Sequence, residues 1–248
     1  MSKVAVVTGG ASGIGLGVAR RFVADGHKVA VIDRNPATLK AAADELTAAG
    51  GEVLALEVDV TDRPAVTHAF ARVRAELGPV AILVTSAGIE AFDPLLEITP
   101  ERWDHIIAVN LTGTFACAQA AVPDMVEAGW GRIVTISSQS AQSGAPNMAH
   151  YSASKGGVIA LTKSLAVDLA RQGVTVNTIS PSIVDTPMVQ AATESGDFPG
   201  VEAIAPFVPL GRAGTPADIA AACAYLCSEE GGSYVTGQLI AVNGGMYI

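Results

Sequence analysis

Tyr151 and Lys155 stand four residues apart in the stretch HYSASKGG. On a helix that spacing puts both on one face, one turn apart. An ammonium beside a phenol stabilises the phenolate and moves its pKa from about 10 toward neutrality. A tyrosine tuned in this way can exchange a proton with an oxygen at physiological pH. The same spacing also arises in helices that do no chemistry. The rest of the chain must decide between a catalytic pair and one exposed helical turn.

A second group of residues suits a phosphate. The stretch TGGASGIGLG places Gly9, Ser12, Gly13, Ile14 and Gly15 between a strand pattern and a helix pattern. Glycines let the chain turn tightly and let a pyrophosphate approach the backbone, while the helix N-terminus supplies N–H donors. The spacing G-x-x-x-G-x-G differs from the standard dinucleotide fingerprint. Asp33 ends the second strand, 18 residues past Gly15. A carboxylate there can accept from the adenosine ribose hydroxyls and would repel a 2′-phosphate. It could equally be a solvated strand-end aspartate. Arg34, next to it, is the feature that favours a phosphate. With Asp33 at the strand end and Ser12 uncharged, the residues favour NAD over NADP.

These groups need elements to position them. Short β-rich runs at 3–8, 28–33, 52–58, 80–86, 131–137, 174–180 and 238–244 alternate with alanine-rich helical patterns. The helical patterns lie near 14–25, 37–49, 63–77, 100–128, 149–172 and 216–229. Several strands are apolar almost throughout, as strands covered on both faces are. The alternation predicts an α/β class chain, a doubly wound Rossmann fold with a seven-stranded, mainly parallel sheet and helices on both faces. No linker or repeat interrupts it, so residues 1–248 read as a single domain. The longest irregular stretch, 186–212, reads as a substrate-binding loop or lid.

Bulk composition narrows the classes. The chain has 248 residues, half of them apolar and 16% charged, enough for one sizeable core. Net charge is −9 with a pI near 4.8 and no Lys/Arg run, so neither nucleic acid nor an anionic membrane is an expected partner. The N-terminal apolar run, Val4 to Val7, is too short for a signal peptide, and no segment reaches 18 uninterrupted apolar residues. The expectation is a soluble, cytoplasmic protein. Cys117, Cys223 and Cys227 give no disulfide framework and read as buried small hydrophobes. His27, His68, His105 and His150 are scattered and suggest no metal site.

The chain resembles the short-chain dehydrogenases/reductases over essentially its whole length. TGGASGIG matches their turn T-G-x-x-x-G-x-G at Thr8, Gly9, Gly13 and Gly15, and YSASK matches their Y-x-x-x-K at Tyr151 and Lys155. Ser138 lies 13 residues before Tyr151, the family's usual spacing for its catalytic serine. Asn110, in HIIAVNLTG, matches the catalytic asparagine on the long fourth helix. VTVNTISPSIVDTPM, carrying Pro181, Ile183 and Thr186, matches the segment that leads to the nicotinamide, and GQLIAVNGG looks like the last strand. Two positions depart from the pattern. The family's N-N-A-G reads Thr85-Ser86-Ala87-Gly88, which removes an asparagine that ties neighbouring strands. Its P-G reads Pro181-Ser182, a change that can narrow the pocket floor or add a hydrogen bond.

The resemblance implies roles. Tyr151 would be the acid/base. Lys155 would hold the tyrosine's pKa down and bind the nicotinamide ribose. Ser138 would donate to the substrate oxygen, with Ser137 and Ser140 as nearby competitors. Asn110 would hold a water linking Lys155 to solvent, or else be only a helix-kink residue. Asp59 and Val60 would contact the adenine, although Asp59 could also cap the helix starting near Asp62. Ser86, Ala87 and Gly88 would line the cofactor site. Nearness to these motifs makes Glu90, Gln139, Ser140, Met148, Ile183 and Met188 candidate pocket wall. Glu90 and Gln139 could bind a substrate hydroxyl or could face solvent.

The implied activity is hydride transfer between NAD and a secondary alcohol or ketone. A homotetramer is the family expectation. Two rivals stay open. One is an NADPH-dependent 3-oxoacyl-carrier-protein reductase, which the chain resembles overall. Asp33 argues against it, as do the few basic docking residues, Arg132 and Arg171. The other is a non-catalytic NAD-binding regulatory protein on the same fold.

Overall fold

Five consecutive buried residues, Val4–Thr8, form β1, and the equally apolar Val80–Thr85 forms β4 beside it. Strands so apolar are stable only where helices cover both faces of the sheet. The computed structural model describes residues 2–248. In chain order the remaining strands are β2 (Lys28–Asp33), β3 (Val53–Glu57), β5 (Gly131–Ile136), β6 (Val174–Pro181) and β7 (Leu239–Val242). They build one sheet of order β3-β2-β1-β4-β5-β6-β7, and every pairing is parallel. The chain winds outward from β1 to β3, then returns to continue on the other side at β4. Between β1 and β4 the connections diverge to opposite faces, which leaves a crevice at the carboxyl ends of the strands.

Helices α1 (Gly13–Ala24) and α2 (Pro36–Ala48) cover one face together with α10 (Pro216–Cys227), where Phe22, Leu46, Ile219 and Leu226 are buried. Cys223 and Cys227 belong to this layer as free thiols. The other face carries α3 (Arg63–Glu76), α4 (Pro100–Ile107), α5 (Gly113–Ala128) and α7 (Ala149–Leu169), with Phe70, Cys117, Met125 and Leu169 in its core. A short helix, α6 (Ser140–Ser143), precedes α7.

The stretch 100–128, read as one helix, contains a π turn at Ala108–Thr112 that joins α4 to α5. By length and composition Pro100–Ala128 is apolar enough to cross a membrane, but half of its most apolar window is buried inside the fold. Residues 186–212 are more ordered than an irregular loop. They contain α8 (Pro187–Glu194), α9 (Val201–Ile204) and a 3₁₀ turn at Ala205–Phe207. The start of α8 has a local cause. Thr186 is its N-cap, with its hydroxyl accepting from the Val189 amide at 3.4 Å, and Pro187 fits the first helical position.

Candidate active site

The crevice is a cavity of about 300 Å³ that runs from the end of β2 to the start of α7. The turn after β1 forms its floor. Gly9 has φ +62°, and a Cβ on it would lie 2.7 Å from the Ala87 nitrogen. A Cβ on Gly15 would lie 2.1 Å from the Gly9 carbonyl oxygen. Side chains at these positions would fill the turn. Ser12 caps α1 without a side-chain bond, so the first-turn amides of α1 remain available to an anion. Gly9, Ser12, Gly13 and Ile14 line the cavity, and the buried Gly15 lies behind them.

At the outer end Asp33 is half-buried and held at both oxygens. Oδ2 accepts from the Ala11 amide at 3.2 Å and Oδ1 from the Asn35 amide at 3.1 Å. Arg34 is exposed at the rim. Asp59 and Val60 line the same end. Asp59 does not cap α3. Asp62 does, accepting from the Ala65 amide, while Asp59 accepts from the amide and hydroxyl of Thr61. Burial opposes the charge on Asp59, but the two Thr61 bonds and then Arg34 outweigh it and hold the carboxyl below its ordinary value. An adenosine fits this end, and pyrophosphate fits the glycine turn.

At the inner end Ser138, Tyr151 and Lys155 face one another across the cavity, with Ser86, Ala87 and Gly88 beside them. Ser140 donates to the Ser138 hydroxyl from both its amide, at 3.2 Å, and its own hydroxyl, at 3.0 Å. That leaves the Ser138 proton free to donate elsewhere. The competitor Ser137 is committed to the structure, donating to the Lys155 carbonyl at 2.9 Å. Lys155 is buried, its Nζ 5.8 Å from the Tyr151 ring centre and donating to the Ile136 carbonyl at 2.9 Å.

The electrostatics differ from the sequence expectation. Burial pushes the Tyr151 phenol up, the charge of Glu90 adds to this, and the Ser138 hydrogen bond opposes it. Burial draws the Lys155 ammonium down to about 8, against the pull of Glu90. The lowering of Tyr151 toward neutrality is therefore absent here, because desolvation of the phenolate exceeds its stabilisation.

Asn110 falls within the π turn and is fully buried. Its Oδ1 accepts from the Ile89 amide at 2.9 Å, and its Nδ2 donates to the Ile89 carbonyl at 2.9 Å and to Ser154 Oγ at 3.0 Å. The side chain thus clamps the segment after β4 to α7. A Cβ on Gly88 would lie 3.3 Å from both Asn110 Oδ1 and Lys155 Nζ, so Gly88 separates the two.

Pro181, Thr186 and Met188 line the cavity, but Ile183 does not. It borders a smaller hollow beside Asn243. Its neighbours Ser182 and Val184 face the crevice instead, as alternation along an extended segment requires. Ser182 also donates to the Asn243 carbonyl at 3.1 Å, joining the ends of β6 and β7. Gln139, Ser140 and Met148 lie outside the lining. Gln139 turns the backbone into α6, with its amide on the Pro181 carbonyl, and Met148 is buried at the start of α7. Thr85 leaves its hydroxyl buried without a partner, and Thr8 takes over the strand tie by accepting from the Ala87 amide at 3.2 Å.

One constellation escaped the sequence reading. His150 is fully buried, its Nε2 2.8 Å from Asp93 Oδ2, which also accepts from Arg102 Nε at 3.0 Å. The Tyr151 amide donates to His150 Nδ1 at 3.0 Å, so the ring proton belongs on Nε2. Asp93 lies 57 residues before His150, and no local pattern announces the pair. No group of three or more potential metal ligands occurs among the described residues.

Comparison with known proteins adds to this geometry. The family model described as Enoyl-(Acyl carrier protein) reductase matches residues 9–247. The chain is 40% identical over 246 residues to the 3-oxoacyl-[acyl-carrier-protein] reductase MabA of Mycobacterium tuberculosis, covering 99% of this chain and 93% of that one. It is 40% identical over 248 residues to the acetoacetyl-CoA reductase of Rhizobium meliloti, covering 100% and 99%. A solved structure of a variant actinorhodin polyketide ketoreductase with NADPH superposes with a TM-score of 0.95 at 37% identity, covering 99% and 97%.

Proposed function

We infer the activity from one premise: this chain belongs to the short-chain dehydrogenase/reductase family and is an oxidoreductase that moves a hydride between a nicotinamide cofactor and a secondary alcohol or ketone. The finer reading is an NAD-preferring dehydrogenase that uses Tyr151 as its acid/base. The observation that carries it is a single crevice with a fixed carboxylate, Asp33, at the adenosine end and Ser138, Tyr151 and Lys155 at the other.

A nicotinamide held in this crevice would supply the hydride chemistry. The side chains supply proton and position. Ser138 donates to the substrate oxygen, where negative charge develops. Tyr151 gives that oxygen a proton in reduction and removes one in oxidation. Lys155 supplies positive charge beside the phenol and a donor for the nicotinamide ribose. Asn110 fixes the wall on which Gly88 and Ile89 lie. Burial and the charge of Glu90 keep the phenol protonated at neutral pH, the form that ketone reduction uses, while alcohol oxidation draws on the deprotonated form at higher pH. The site is a small-molecule one. The exposed Tyr247 and Ile248 at the C-terminus support a homotetramer, checked by light scattering on the purified protein. A cytoplasmic location is part of the same reading.

A second reading, the NADPH-dependent 3-oxoacyl-carrier-protein reductase, draws support from the exposed Arg34 at the crevice rim and from the names and cofactor of the relatives. The non-catalytic alternative has no comparable support, since Asn110, Ser138, Tyr151 and Lys155 are all present around the crevice. Steady-state kcat/KM with NAD and NADP on one panel of alcohols and thioesters tests both readings. NAD preference with turnover of simple secondary alcohols supports the first. NADPH preference with thioester turnover replaces it by the second.

A further inference from the structure

We propose that Ser140 is a positioning residue that aims the Ser138 proton into the crevice. The inference rests on the reading in which Ser138 donates to the substrate oxygen, and deepens it. Ser140 opens α6, the short helix behind Ser138, and does not line the cavity. From there it places two donors on one oxygen of the site. Its amide lies 3.2 Å and its hydroxyl 3.0 Å from Ser138 Oγ. The platform that carries it is fixed. The Gln139 amide donates to the Pro181 carbonyl at 2.8 Å, and Gln142 Nε2 donates to Ser180 Oγ at 2.9 Å, so this turn is tied to β6 on both sides of Ser140.

A serine hydroxyl has one proton to give and two lone pairs to receive with. On Ser138 both lone pairs are occupied from behind, so its own O–H points away from α6 and toward the crevice. The direction of the serine pair follows from what each oxygen can reach. Ser140 Oγ has no hydrogen-bond partner other than Ser138 among the described residues. Were Ser138 to donate to Ser140, the proton of the buried Ser140 would have no acceptor, a destabilising arrangement. Ser138 would then present a lone pair to a substrate oxygen that gains negative charge. The order Ser140 to Ser138 to crevice avoids both. It also strengthens Ser138 as a donor, since a hydroxyl that accepts hydrogen bonds is polarised toward giving its own. Ser137 cannot stand in for Ser140, because its hydroxyl is held by the Lys155 carbonyl at 2.9 Å. Neither serine proton is transferred. In reduction the hydride enters at the carbonyl carbon and the Tyr151 proton at the oxygen, and Ser140 acts only through the aim and strength of the Ser138 bond.

The test uses the full chain reducing ethyl acetoacetate with NADH or NADPH. Ser138→Ala should lose about 10²-fold or more in kcat, the scale of one oxyanion donor. Ser140→Ala keeps the amide bond and loses the hydroxyl. It should lose about tenfold in kcat with KM little changed, because a weakened donor costs less than a missing one. Ser140→Thr restores the hydroxyl and should recover most of that loss. The double variant should match Ser138→Ala within about twofold, as residues acting as one unit do. Ser143→Ala removes a hydroxyl from the same helix and should leave kcat unchanged. Single-turnover stopped flow on the enzyme–cofactor complex separates aim from folding. In Ser140→Ala the rate constant should fall while the amplitude, which counts active sites, holds. A fall in amplitude alone, losses that multiply in the double variant, or an equal loss in Ser143→Ala overturns the proposal. An unchanged kcat in Ser140→Ala beside an impaired Ser138→Ala overturns it too, and leaves the role of Ser138 standing. An unimpaired Ser138→Ala, or a wild type that turns over no ketone, removes the underlying reading and the proposal with it.

Discussion

Replacing Asp33 by Asn tests the cofactor assignment with little change of shape. The Asp33 carboxylate is anchored at both oxygens, by the Ala11 amide at 3.2 Å and the Asn35 amide at 3.1 Å, so swinging away from an incoming 2′-phosphate would break both bonds. Like charges about 4 Å apart repel by about 1 kcal/mol at the dielectric of water and about 4 kcal/mol at an effective value near 20. The group is half-buried and two amides already point at it, so the lower half of that range applies. That is about 1–2.5 kcal/mol, a preference for NAD of roughly fivefold to seventyfold, since about 1.4 kcal/mol is tenfold. The assay is kcat/KM for NAD and for NADP with one alcohol, on wild type and Asp33→Asn. The variant should gain on NADP and lose modestly on NAD, because Asn accepts one bond from a ribose hydroxyl where Asp accepts two. If wild type already prefers NADP, Arg34 dominates and the electrostatic reasoning is wrong. An unchanged NAD/NADP ratio in Asp33→Asn would show that Asp33 does not face the ribose.

Tyr151→Phe should retain NADH binding by fluorescence titration and lose at least about 10²-fold in kcat, the lower bound for a positioned acid–base group. Near-normal turnover would remove Tyr151 from the chemistry. Lys155→Ala should damage both kcat and NADH affinity, whereas Ser138→Ala should damage mainly kcat; equal NADH affinity in wild type and Lys155→Ala would refute the ribose contact. Alcohol oxidation needs the deprotonated phenol, and with Tyr151 raised its rate should climb through the alkaline range without levelling near neutrality. Ketone reduction needs the protonated phenol and should hold at neutral pH, then fall as Lys155 loses its proton around pH 8. A stopped-flow pH series on the chemical step checks both, and a flat oxidation profile would count against a tyrosine base.

Much of the fold was legible because burial writes itself into local pattern. The apolar runs of β1 and β4 announce strands covered on both faces, and the glycines at 9, 13 and 15 announce a turn that side chains would block. Caps were legible too: Thr186-Pro187 could have revealed α8 inside the segment read as irregular. Three features had no local signature. The π turn around Asn110 depends on what the helix packs against, since its residues look helical either way. The placing of Ile183 outside the crevice depends on which side of an extended segment faces inward, and a shift of one residue reverses it. The pairing of His150 with Asp93 requires the fold itself. The direction of the Tyr151 shift was missed because a spacing rule counts a neighbouring charge and cannot count lost water.

The link from His150 to Asp93 and Arg102 has a consequence for how this pocket can be altered. It fastens the strand-exit segment bearing Glu90 to the helix start bearing Tyr151, and the Asp93 amide adds a further tie to the Asn147 carbonyl at 2.8 Å. Residues 89–93 and 147–151 are therefore joined as one structural unit, although a long stretch of sequence separates them. A chimera that imports only the 89–93 segment from a relative without an acidic residue there would leave the buried imidazole without its counterpart. Transplanting both together keeps the joint intact, so new specificities on this scaffold are best sought by exchanging the segments in pairs.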